Sequence, residues 1–104
     1  MRSSHPSASV VIPTHNRLGD LQRVVGAVEA QFAPGGRPPE LIVVDDGSSD
    51  GTAQWLRREA ANGRLRVLSQ SNAGPAVARN RGASAASGEV LLFLGDDTVP
   101  EAGW

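Results

Sequence analysis

The sequence predicts an α/β fold, a mostly parallel sheet of strand order 3-2-1-4 with helices on both faces, and three observations carry that prediction. Strand-like and helix-like periodicities alternate along the whole chain. The apolar runs are uninterrupted rather than alternating, as in strands buried on both faces. Two of them, Leu41 to Val44 and Val90 to Leu94, run into paired acids: Asp45-Asp46, and Asp96-Asp97 across Gly95. Right-handed crossovers leave few ways to assemble such a series, and the order 3-2-1-4 is the half-sheet of doubly wound folds. Ligands of open α/β sheets bind beyond the carboxyl ends of the strands. Both acidic pairs are therefore expected around one crevice. Two carboxylates about 5 Å apart there repel by about 3 kcal/mol at an effective dielectric near 20, which favours a cation or water between them.

Taken in order, Ser9 to Ile12 reads as the first strand, and Pro13, lacking an N–H for the ladder, is expected to mark its exit. Leu18, Leu21, Val24, Val25, Val28 and Phe32 recur at spacings of three and four, which predicts an amphipathic helix capped by Asn16. A turn-rich break from Pro34 to Pro39 precedes the second strand, Leu41 to Val44. The segment from Gly47 to Thr52 supplies loop and capping chemistry for a second helix over about 53–61, ended by Asn62-Gly63. Leu65 to Leu68 reads as an edge-like strand because Arg66 interrupts it. A third helix is expected over 75–87, with small residues at Ala76, Ala78, Gly82, Ala83, Ala85 and Ala86 that let it lie close on the sheet. Val90 to Leu94 is the most apolar strand and falls on the other edge. Its unpaired backbone and apolar faces predict a cover, either further sequence or another subunit.

At 104 residues the chain is long enough for one domain, 1–104. Charge is nearly balanced, with a formal net of -1, so no broad nucleic-acid footprint is expected. The chain has no Lys, which excludes Schiff-base and phosphate-loop lysine chemistry. The absence of Cys excludes disulfides and thiolate metal sites. No apolar stretch approaches the roughly 20 residues of a membrane span. Met1 to Ser9 reads as a short polar arm rather than a secretion signal.

Four segments, VVIPTHNR at 10–17, VVDDGSSDGT at 43–52, NAGPAVARNRG at 72–82 and GEVLLFLGDDTVP at 88–100, together resemble the amino-terminal half of the family 2 glycosyltransferases. These are inverting enzymes of the Rossmann-like GT-A fold. The resemblance implies transfer of a sugar from a UDP-, GDP- or dTDP-linked donor to a hydroxyl of a sugar, lipid or polysaccharide acceptor, with Mg²⁺ or Mn²⁺. Pro13, Thr14, His15 and Arg17 then belong to the loop lining the nucleotide pocket. Asp45 and Asp46 match the acidic pair beside nucleobase and ribose, where an ionised oxygen accepts a charge-assisted hydrogen bond. Asn72 and Gly74 match the loop closing over the nucleoside, where glycine permits close backbone approach. By the same analogy Asp97 ligates the metal and Asp96 holds ribose or shares the ion, since Mg²⁺ is typically held by one or two carboxylates plus substrate phosphates. Arg79 and Asn80 match a helix motif expected to support the acidic loops. Gly95 stands where the first acid of the family's Asp-any-Asp motif often sits, a departure expected to weaken the metal site without abolishing it.

In that family the general base and the acceptor surface lie beyond the metal motif. The chain is therefore expected to be a donor-binding half, truncated after that motif and inactive alone. The alternative, from another class, is a non-catalytic GT-A-like assembly or regulatory module without useful donor binding. On either reading the exposed fourth-strand edge is expected to favour self-association. A cytoplasmic location is expected, at the inner membrane face if the acceptor is lipid-linked.

Blander readings stand beside these. Asp45 to Asp50 is also the composition of an ordinary solvated turn and mimics the start of a calcium loop, but position twelve is Arg57 rather than Glu. His15 has no second ligand-spaced histidine and is assigned to pocket lining. Arg79 and Arg81 are read as partners of nearby carboxylates rather than phosphate clamps. Trp55 and Leu56 belong to the core side of the second helix. A dinucleotide-binding turn is excluded because 13–19 holds no Gly-x-Gly-x-x-Gly.

Overall fold

The computed structural model describes residues 7–32 and 38–97. The expectations attached to residues 1–6, to Pro34 and to Trp104 lie outside these. Within them the order is β1 (Ala8–Thr14), α1 (Leu18–Phe32), β2 (Glu40–Asp46), α2 (Thr52–Ala61), β3 (Arg66–Gln70), α3 (Pro75–Ala85) and β4 (Val90–Phe93). All strand pairs are parallel, and the sheet order is β3-β2-β1-β4, as the crossover argument predicts.

The period-two alternation of a strand sorts the apolar residues onto two faces. Val10, Ile12, Leu41 and Val43 pack against Leu21, Val24 and Val25 of α1 and Leu56 of α2. Val11, Ile42 and Val44 face the other way, onto Ala78 of α3. All of these side chains are buried, and each large aliphatic one contributes about 1.5–3 kcal/mol of transfer free energy. Trp55 packs half-buried against the first cluster.

The second face is held at close range. A Cβ placed on Gly82 would lie 2.3 Å from Val11 Cγ1, so α3 lies against β1 where only a hydrogen fits. Gly88 is similarly confined, since a Cβ placed on it would lie 2.7 Å from the Ala8 and Ser9 backbone. This is the packing that the run of small residues predicts.

Several boundaries differ from expectation for identifiable reasons. β1 continues through Pro13 to Thr14. The Leu94 N–H bonds Val11 O, so Val11 and, two residues on, Pro13 turn their backbone polar groups toward β4. The β1–β4 register ends at Val11 opposite Phe93, so no ladder acceptor awaits a Pro13 N–H. β3 sits one residue later than predicted at its start and runs to Gln70. α3 stops at Ala85 because Ser87 N–H is taken by Glu40 Oε1 at 2.9 Å. Ala8, read as part of a loose arm, is instead strand, and the Val90 N–H bonds Ser7 O just before it.

Glu40 organises the amino-terminal end of the sheet. Its Oε1 accepts hydrogen bonds from Ser9 Oγ and the Ser87 backbone, and its Oε2 accepts from Arg66 Nη1 at 2.9 Å. The Ser87 N–H is the main cause that holds the Glu40 carboxyl down at about 2, against an opposing push from burial and with further help from Ser9 and Arg66. At the β4 edge, Val90, Leu91 and Phe93 remain exposed.

Candidate functional site

The carboxyl ends of β1 and β2, the segment after β4 and the first turn of α3 enclose a cleft of about 330 Å³. It is lined by Pro13, Thr14, His15 and Arg17 from the first loop and Asp46 from β2. Pro75 and Arg79 come from α3, and Gly95, Asp96 and Asp97 follow β4. Asp45, Asn72 and Gly74 do not line it.

Alternation separates the first acidic pair. Asp46 shares the α3 side of β2 with Val44, whereas Asp45 shares the other side with Val43. Asp45 is buried, and its Oδ1 accepts the Ser48 N–H three residues on at 3.1 Å, a local side-chain-to-backbone bond that closes the turn after β2. Asp46 reaches across to the β3–α3 loop, where Oδ1 accepts from Ala73 N at 2.8 Å and Oδ2 from Gly74 N at 3.0 Å. Gln70 Nε2 donates to Asp46 Oδ1 and to Gly74 O. Burial pushes the Asp46 carboxyl up, but the Ala73 amide, Gln70 and the Gly74 amide together outweigh it and hold the group below the usual carboxylate range. Gly74 takes φ +95°, a region that disfavours any side chain, and Asn72 takes φ +48°, which asparagine tolerates. The loop thus follows from two residues able to take positive φ and one carboxylate to which the backbone amides bond.

The wall formed by the first loop is laced to the loop after β2. Asn16 N donates to Ser48 Oγ and Asn16 Oδ1 accepts from Ser49 N at 2.7 Å. The N-cap expected of Asn16 is therefore made by another residue. Asp50 Oδ2 accepts the Leu18 N–H that begins α1, while its Oδ1 accepts from Thr52 N at the start of α2. Asn16, with φ +52°, instead turns its side chain onto the neighbouring loop. His15 Nδ1 lies 2.6 Å from Asp46 O. A carbonyl only accepts, so Nδ1 carries the proton and Nε2 is left as an acceptor in the neutral ring.

On the opposite wall, Thr14 Oγ1 donates to Asp96 Oδ2 at 3.0 Å. Arg17 reaches both acids, with Nη1 3.2 Å from Asp97 Oδ2 and Nε 3.9 Å from Asp96 Oδ1. The two carboxyls differ in exposure, the Asp96 side chain being 14% exposed and that of Asp97 55%.

Arg79 makes no ion pair among the described residues and lines the cleft, so the carboxylate partner expected of it is absent there. Arg81 donates to Ser69 O rather than to an acid. The sequence signal for Arg79 was its offset of four from Pro75, which puts both on one helix face. The described residues hold no group of three or more His, Asp or Glu side chains arranged to bind a metal unaided.

The profile of the family described as Glycosyl transferase family 2 matches residues 9–104. Glycosyltransferase AglE of Haloferax volcanii is 37% identical over 106 residues, covering 100% of this chain and 34% of that protein. A validoxylamine A glucosyltransferase of Streptomyces hygroscopicus subsp. limoneus is 42% identical over 96 residues, 88% of this chain and 21% of its own length. Among solved structures, the mannosyltransferase PcManGT of Pyrobaculum calidifontis, in complex with GDP-Man and Mn²⁺, superposes with a TM-score of 0.78 at 27% identity. That match covers 91% of this chain and 28% of PcManGT. S. aureus TarS 1-349 in complex with UDP-GlcNAc gives a TM-score of 0.73 at 29% identity, over 88% of this chain and 26% of TarS 1-349. The chain spans about a third or less of the length of these relatives. The fold is that of the GT-A glycosyltransferases. With the strand order, the acid-ended strands and a family match over nearly all its residues in agreement, this chain belongs to glycosyl transferase family 2.

Proposed function

We propose that this chain is the donor-binding half of an inverting glycosyltransferase whose cleft takes a UDP-, GDP- or dTDP-linked sugar together with Mg²⁺ or Mn²⁺. One observation carries the reading: a single cleft opposes two carboxylates, Asp96 and Asp97, with two guanidinium groups, Arg17 and Arg79. A metal-chelated diphosphate is the ligand class that uses both signs at once, because phosphate oxygens pair with arginine and with the ion.

The residues fit such an ion. Mg²⁺ and Mn²⁺ favour hard oxygen donors, and Mg²⁺ is typically held by one or two carboxylates completed by substrate phosphates rather than by an all-protein cage. Asp96 and Asp97 supply that set, and both already reach one positive group, the Arg17 guanidinium. When bound, the ion supplies stabilisation of negative charge on the departing diphosphate.

The other residues bind and orient. Thr14 fixes Asp96 by donating to it. Asp46 holds the Ala73–Gly74 backbone in place beside the cleft. His15 is anchored through Nδ1 to Asp46 O, with Nε2 facing Asn16 Nδ2 at 3.4 Å. Arg79 presents its guanidinium to the diphosphate. The base that activates the acceptor hydroxyl is assigned to polypeptide outside residues 1–104, and the chain alone is expected to lack turnover. No helix among the described residues is long and apolar enough to cross a membrane. The assigned location is the cytoplasm, at the inner membrane face where the acceptor is lipid-linked.

Calorimetric titration with UDP, GDP and dTDP, with and without Mn²⁺, tests the reading. Metal-dependent binding of one nucleotide, weakened about tenfold or more in Asp97→Ala, is the expected result. Failure of all three to bind overturns it and favours the non-catalytic assembly or regulatory module.

A further inference from the structure

We infer that Arg17 is an exchangeable counter-ion of the Asp96–Asp97 pair, holding both carboxylates until a diphosphate draws the guanidinium away and leaves the acids to a divalent cation. The inference rests on the donor-binding reading above and adds an order of events to it.

Three features of the cleft carry the argument. The first is shared atoms: Arg17 Nη1 hydrogen-bonds Asp97 Oδ2 at 3.2 Å, and its Nε stands 3.9 Å from Asp96 Oδ1. One guanidinium lies within ion-pair distance of both acids, so an ion ligated by both must compete with it. The second is a fixed base under a loose side chain. The Arg17 carbonyl accepts the Leu21 N–H, and both neighbours are pinned to the β2–α2 loop, Asn16 through Ser48 and Leu18 through Asp50. Its side chain is nonetheless 51% exposed, so the head group can swing while the backbone stays. The third is magnitude. Exposed ion pairs contribute only about 0.2–1 kcal/mol each, so Arg17 offsets the repulsion between adjacent acids without locking them.

Arg17 also has a better partner in prospect. A diphosphate presents paired oxygens that match the guanidinium fork. Nucleotide arrival therefore removes a competitor that reaches both acids, and the ion and the nucleotide assist each other beyond direct chelation. By linkage that assistance is equal in both directions. Arg79 cannot play this part, since it contacts neither acid among the described residues.

The test measures Mn²⁺ alone, by electron paramagnetic resonance or calorimetry, on the full chain as wild type, Arg17→Ala and Arg17→Lys. UDP and GDP are then measured with and without Mn²⁺. Arg17→Ala is expected to bind Mn²⁺ alone about three- to fivefold more tightly, the scale set by exposed pairs. Arg17→Lys should fall between, because a point charge restores attraction without the fork. The mutual enhancement of Mn²⁺ and nucleotide should shrink in Arg17→Ala. Unchanged or weaker Mn²⁺ binding by Arg17→Ala overturns the exchange, and if wild type still binds Mn²⁺ with nucleotide, the donor-binding reading stands without it. Tighter Mn²⁺ binding by Arg17→Ala with no nucleotide bound by either protein overturns the donor-binding reading and the hand-over together.

Discussion

The carboxylate of Asp46 grips the main chain of Gly74, its Oδ2 accepting the Gly74 N–H at 3.0 Å while Oδ1 takes the neighbouring Ala73 N–H at 2.8 Å. The acid at the end of β2 thereby sets the loop that begins α3, and its effect on any nucleotide acts through that loop as well as through its place in the cleft wall.

Asp46→Ala should release the loop. Amide hydrogen exchange at Ala73 and Gly74 is expected to accelerate strongly while the strands stay protected, and nucleotide affinity is expected to fall about tenfold. The pH dependence has a definite sign. A carboxylate with a lowered folded value contributes stability that is complete above its unfolded value, near 3.9, and is lost as pH falls through the lower folded one. Gly74 protection should therefore be flat from pH 7 to 5 and erode only in stronger acid. Loss of protection at pH 6 would contradict the clamp.

Gly82→Ala should destabilise by about 1–3 kcal/mol, since its Cβ would fall 2.3 Å from Val11 Cγ1 in a packed layer. Urea denaturation read by circular dichroism measures this. The double variant with Val11→Ala should cost less than the sum of the two single changes, because the smaller strand residue makes room for the methyl. Strict additivity would show that the two positions do not touch.

Glu40→Gln should cost about 1–2 kcal/mol at neutral pH, a figure reduced for screening because the Glu40 side chain is 22% exposed and its partner Arg66 is 50% exposed. The carboxyl is lowered from 4.5 to about 2, so its contribution is complete above 4.5 and fades between there and about 2. The stability gap between wild type and variant should accordingly be constant from pH 8 to 5 and close as pH falls toward 2. A gap that widened in acid would assign the effect to something other than this charge.

The β4 edge should drive concentration-dependent association, because Val90, Leu91 and Phe93 stay exposed beside a strand edge that pairs with no other strand among the described residues. Sedimentation velocity is expected to show self-association at high concentration, suppressed in Leu91→Lys, where a charge blunts the edge. A strictly monomeric wild type would refute it.

The fold was legible because its determinants are local and periodic. Uninterrupted runs such as Ile42 to Val44 and the small residues Ala78 and Gly82 each permit few neighbours, and crossover handedness supplied the strand order. The cleft was legible in part, since Thr14, His15, Arg17, Asp46, Asp96 and Asp97 line one space. Asp45 and Asp46 look equivalent in sequence, yet a strand sends adjacent side chains to opposite faces, and that period was not applied to the pair. Asp50 as the cap of α1 and Glu40 as the tie across the sheet depend on partners 26 to 47 positions away, which no local pattern displays. Arg79 was judged by its neighbours in the chain, when its helical register already aimed it past them.

The lacing of Asn16 to Ser48 and Ser49, with Asp50 joined to Leu18, has a consequence for how such a protein could diversify. Two loops tied into one slab make a jamb on one side of the opening, from which His15 and Arg17 face the cleft. Under the donor-binding proposal, substitutions at α3 and after β4 can retune the opening without unpicking that knot.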